Sequence, residues 1–123
     1  MARRRMIDPE IWTSEDFNNL IPVHRLLFVG LISHADDEGR HTLRTPKTLK
    51  AKIFPFDNGK LYSEKSKERG LTSMMEMGMI DIYGDDPRFI QLNNWKGYQK
   101  IQHPQPSRFP SKEDYDKNRN RLP

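Results

Sequence analysis

Two helix-sized segments run directly into a strand–turn–strand pattern between residues 45 and 92, and few small folds accept that order. In TPKTLKAKIF (45–54), Thr45 and Pro46 suit the N-cap and first position of a helix, and Leu49 and Ile53, at i and i+4, form its inward side. Pro55, Asp57, Asn58 and Gly59 break that helix. A further helix is expected from Ser63 or Ser66 to Met77, with Leu71, Met74 and Met75 as its core stripe and Gly78 just past its end. Gly70 lies inside it, at a cost of about 1 kcal/mol relative to alanine. MIDIY (79–83) and RFIQL (88–92) then read as strands on either side of a Gly84-Asp85-Asp86-Pro87 turn. Helix, helix, strand, turn, strand predicts an α+β winged helix-turn-helix, with about three core helices and a small antiparallel β-hairpin wing.

The flanking sequence completes this outline. Asp8-Pro9 starts a turn or short helical piece carrying Ile11 and Trp12, and Ser14 reads as an N-cap with Glu15 and Asp16 in the first turn, where the helix dipole favours acids. Pro22 suits the first position of a long helix through VHRLLFVGLISHA, which is apolar nearly all round and is expected to be the central buried helix. Asp36-Asp37-Glu38-Gly39 ends it in a turn, and HTLRT (41–45) has the alternation of a short strand. Beyond Asn93, Pro104, Pro106 and Pro110 exclude a helix and favour extended backbone, so the end of the chain is expected to be an extended Pro-rich tail, frayed or marginally helical at its close. The expected organisation is a basic N-terminal arm over 1–8, a winged-helix domain over 9–102 and a flexible tail over 103–123.

Charge is distributed unevenly. Residues 40–69 carry nine Lys or Arg against three acids, a net of +6, although the whole chain is only +4. Localised positive charge on helices argues for nucleic acid more strongly than a high isoelectric point does. Lys47, Lys50, Lys60, Lys65, Lys67 and Arg69 are the expected phosphate-pairing residues, with the start of the 63–77 helix reaching base edges, and Arg3, Arg4 and Arg5 form an arm for the backbone or minor groove. The wing turn is acidic, which repels phosphate. That favours a second reading, a protein-interaction scaffold with little DNA affinity. A transcriptional regulator of the same fold is a third.

Other chemistry finds little support. Three consecutive acids in one turn (Asp36, Asp37, Glu38) cannot all face one metal, and the four His lack metal-ligand spacing. There is no Gly-rich phosphate loop and no activated-nucleophile context, so neither an enzyme, a cofactor nor a metal is expected. Trp95, Tyr98 and Trp12 could stack on bases, but cover for the ends of a small core is the stronger expectation. With no cysteine, no apolar run near the ~20 residues of a membrane span and no apolar core to the basic start, the chain reads as a soluble cytoplasmic protein.

RRMIDPEIW, LLFVGLISHADDEGR, IFPFD, MGMIDIY and NWKGYQKIQHPQPSRFP, taken in order and spacing over about residues 3 to 110, resemble the N-terminal winged-helix domain of phage replisome organiser proteins. These are similar to the DnaD-like primosomal initiators of Gram-positive bacteria and their phages. The resemblance implies a DNA-binding module of replication initiation, acting on double-stranded DNA, with single strands open as an alternative, and with replication proteins or self-association as further contacts. It also implies that the Trp95-to-Pro110 segment belongs to the domain's own pattern. Members of the family typically continue into a helical region for single-stranded DNA or helicase-loader contacts.

Overall fold

The computed structural model describes residues 4–43, 46–85 and 87–121. A 3-10 turn (Pro9–Thr13) leads into α1 (Glu15–Asn18) and α2 (Pro22–His34), followed by β1 (Arg40–Leu43), α3 (Pro46–Ile53), α4 (Glu64–Glu76), β2 (Ile80–Tyr83), β3 (Arg88–Leu92), α5 (Trp95–Tyr98) and α6 (Lys112–Arg121). The predicted caps operate. Asp8 and Ser14 accept from Glu10 N and Phe17 N, and Ser63 accepts from Ser66 N to open α4. The expected Thr45 cap lies outside the described residues, as does Asp86 of the wing turn.

The strands form one antiparallel sheet in the order β1-β3-β2. His41 lies opposite Ile90, and Ile82 pairs with Ile90 from the other side. Leu20, Leu27, Leu31, Leu49, Phe54, Leu71, Met74, Ile80, Ile90 and Leu92 close the core between this sheet and α2, α3 and α4. Helix, strand, helix, helix, strand, strand with β3 central is compatible with a winged helix. No helix among the described residues is long and apolar enough to cross a membrane.

Four expectations about the core need correction. Leu26 of α2 and Met75 of α4 are exposed, because each helix buries only the stripe facing the sheet and its neighbours. Trp12 does not cover the core. It is 64% exposed and meets Phe17 edge-on, and Tyr98, expected in the same covering role, is 48% exposed. Trp95, by contrast, is buried, donates from Nε1 to Asp37 O at 2.9 Å, and packs where a Cβ on Gly39 would come within 2.7 Å of its ring. Gly39 has φ +79°, so this approach uses both the missing Cβ and the left-handed backbone.

The acidic turn after α2 ties the ends of the chain to the domain. Asp36 accepts from its own turn (Glu38 N and Arg40 N) and from the Ser107 hydroxyl. Asp37 accepts from Gln105 N, and Glu38 accepts from Ser107 N. The expectation of helix-free, extended chain beyond Asn93 is corrected at two places, since Trp95–Tyr98 forms α5 and Lys112–Arg121 forms α6; the Pro-bearing stretch between them is free of helix and lies against the sheet. Arg40 donates to Phe109 O, Tyr83 Oη donates to Pro110 O, and Phe109 and Tyr115 meet the ring of Phe89. Tyr83 and Phe89 are the aromatic residues of the wing strands, so the tail covers apolar surface that the small sheet would otherwise leave wet.

Candidate nucleic-acid interface

α3 contains three lysines and no acid. Lys47 and Lys50 stand at i and i+3 and so share a side, with Leu49 turned into the core. Lys47 is exposed and Lys50 half-buried. Lys52, which sequence reasoning left among the ordinary charges, is also exposed. It lies near the end of α2, where its backbone carbonyl meets His34 Nε2 at 3.2 Å. After α3 the chain turns through Phe54–Gly59 and exposes Phe56, Lys60 and Leu61 before α4 begins.

α4 presents Lys65 and Arg69, at i and i+4, on its exposed side. They share that side with Glu64 and Glu68, together with Thr72 and Ser73 along a shallow depression. Glu68 is engaged by Arg88 of β3 through two contacts of 2.6 and 3.3 Å. That hydrogen bond raises the Arg88 guanidinium above its ordinary value. The outer side of α4 is therefore charge-mixed, and the largest share of the 40–69 surplus resides on α3, whose three lysines have no acid in the same helix.

Lys67 is not a surface cation. It is 2% exposed, and its ammonium donates to Tyr62 O at 3.3 Å. Burial pushes its pKa below the ordinary lysine value, and the nearby Lys50 charge pushes it in the same direction against the opposing pull of Glu64. Its expected role in phosphate pairing is corrected for this reason. Helical position explains the miss: Lys67 lies one turn before Leu71 and two before Met74, on the buried stripe of α4. The charge coupling to Lys67 places Lys50 beside the first turns of α4.

The basic arm divides. Arg3 lies outside the described residues. Arg4 is exposed. Arg5 forms an ion pair with Asp37 at 2.9 Å, both side chains being under 5% exposed, donates to Ala35 O, and lies 5.3 Å over the Trp95 ring. Arg5 is thus a structural clamp and not a groove-reading residue, and Asp37 is the counter-charge that draws it in. Met6 N donates to Gln99 Oε1 and Gln99 Nε2 returns a bond to Met6 O, which fastens the start of the chain to the end of α5.

Of the expected cations, Arg4, Lys47, Lys60, Lys65 and Arg69 remain exposed and Lys50 partly so, and Lys52 joins them. Such a set can neutralise phosphates without reading sequence; base readout would fall to Lys65, Arg69 and Thr72 on α4. No family model, no curated protein and no solved structure matches this chain.

Proposed function

We propose that this chain is a DNA-binding winged-helix module of phage-type replication initiation, bound mainly through phosphates. The observation that carries the reading is the order of α3, α4 and the β1-β3-β2 sheet, in which α4, with Lys65 and Arg69 exposed, directly precedes the β2–β3 hairpin as a recognition helix would, while α3 adds the exposed Lys47 and the half-buried Lys50. The paired Glu68 and the nearby Glu64 reduce net attraction along α4, so affinity is expected to be modest and steep in salt. Four phosphates held by Lys47, Lys50, Lys65 and Arg69 imply a log–log salt slope of about −3.6. Fluorescence anisotropy with a duplex oligonucleotide at several salt concentrations tests this. Replacing all four residues by alanine should flatten the slope by about 3 and weaken binding strongly at low salt. Replacing Lys112 and Lys117 should leave both nearly unchanged. Equal losses from the two sets would refute the assignment.

A second reading, a protein-interaction module of a primosome, is favoured by Glu64, Glu68 and Glu76 on α4 and by the exposed Asp85 in the wing turn. Absence of duplex and single-strand binding at low salt would select it.

A further inference from the structure

A groove of about 570 Å³ runs between the N-terminal segment, α2, the turn after α4 and α5. Its floor is apolar, with Phe17, Phe28, Ile32 and Met79 along it, and Tyr98 and Met6 expose ring and thioether at its edges. Its walls are held in place. The Met6–Gln99 pair and the Arg5–Asp37 clamp fasten the N-terminal side, and Asn93 Nδ2 donates to Gly78 O across the opposite end. Among the described residues, the charged ones that line it all have the same sign: Asp8, Glu10 and Asp16. None of the three is in an ion pair among the described residues, and none of the cations on α3 or α4 lines the groove.

We propose that this groove is a docking site for an amphipathic helix of a partner protein, apolar on one side and edged with Lys or Arg. Charge complementarity selects that occupant. An apolar floor takes side chains at i, i+3, i+4 and i+7, and three carboxylates at the rim, none in an ion pair among the described residues, attract a cationic edge while repelling nucleic acid and acidic helices. A preformed groove spares the partner's site any ordering cost. This site is independent of the DNA-binding reading and stands or falls apart from it.

The test uses two synthetic helical peptides of about sixteen residues with the same leucine face, one edged with lysine and one with glutamate. Binding is followed by anisotropy, and the location by amide shift changes in the full chain. The lysine peptide should bind in the micromolar range, with shifts confined to the groove, and should stay bound when duplex DNA is added. The rim triple change Asp8→Asn, Glu10→Gln, Asp16→Asn, in which the asparagine at position 8 can still cap the first turn, should weaken it about tenfold while leaving the circular dichroism spectrum intact. Tyr98→Ala should weaken it through the apolar edge, independently of charge. Equal affinity for the glutamate peptide, shifts centred on α3 and α4, or no binding would overturn the proposal. So would a concentration-dependent dimer that dissociates as peptide binds, since the groove would then belong to a second copy of this chain.

Discussion

Gly70→Ala should destabilise the protein, against the helix-propensity rule. In a solvent-facing helix this change gains about 1 kcal/mol. In α4, a Cβ at position 70 would come within 2.8 Å of His24 Cδ2 and 2.9 Å of His24 Cγ. These are ring atoms near the root of the side chain and cannot swing away cheaply. His24 is buried, and its Nε2 meets Ser66 Oγ at 3.2 Å, so displacing the ring also breaks that bond. Overpacking costs about 1–3 kcal/mol, and loss of a buried hydrogen bond adds about 1 kcal/mol. After subtracting the propensity gain, a net loss of about 1–3 kcal/mol remains. At about 3–5 °C per kcal/mol for a chain of this size, the midpoint should fall by about 3–15 °C. Urea unfolding followed by circular dichroism measures the loss directly. His24→Ala alone should destabilise by leaving a cavity, but adding Gly70→Ala to it should then be neutral or favourable. The cycle should show a coupling of at least about 1 kcal/mol. If Gly70→Ala is as stable as the parent, or its cost is unchanged in the His24→Ala background, the steric account of this glycine is wrong.

Asp37→Asn keeps an acceptor for Gln105 N but strands the Arg5 guanidinium, and should cost about 3 kcal/mol in urea unfolding; a loss under about 1 kcal/mol would show that the clamp is not a buried ion pair in solution. Acid stability follows from two imidazoles. Burial holds both His24 and His41 below the ordinary histidine value, with Arg69 adding to the effect on His24 and Lys52 on His41. The unfolded chain therefore binds protons first, so stability that is full above pH about 6.5 is lost as pH falls below it. His41→Gln should make that loss shallower when unfolding is measured at stepped pH; an unchanged slope would exclude His41 as a contributor.

Local signals carried most of the element order. Proline and serine at the helix starts, glycine past the end of α4 and period-two strands around Gly84 are all short-range features, and each mapped to the element it predicted. What eluded sequence reasoning depends on which side of an element meets a distant one. Lys67 has the composition of a surface residue and the position of a core residue. Leu26 and Met75 have the reverse. Arg5 reads as part of a free arm until Asp37 and Trp95, 32 and 90 positions away, close around it. The tail from 103 onward holds few large apolar residues, yet Phe109 and Tyr115 meet the rings of Tyr83 and Phe89 and add to the hydrogen bonds from the 36–40 turn that hold it. The site is legible to the same degree. Lys47, Lys50, Lys65 and Arg69 follow from helical spacing, whereas the groove draws its lining from four separate stretches and has no linear signature.

The placement of β3 between β1 and β2 has a consequence for how the polypeptide acquires its shape. β1 ends at residue 43, and its partner begins at residue 88. A chain leaving the ribosome therefore carries an unpaired first strand through the synthesis of both intervening helices. α3 and α4 can form locally, but the sheet can close only when β3 arrives, and closure is then expected to govern the folding rate. Until that moment both edges of β1 are bare, which opens a window for misassembly during synthesis that narrows once β3 covers one of them.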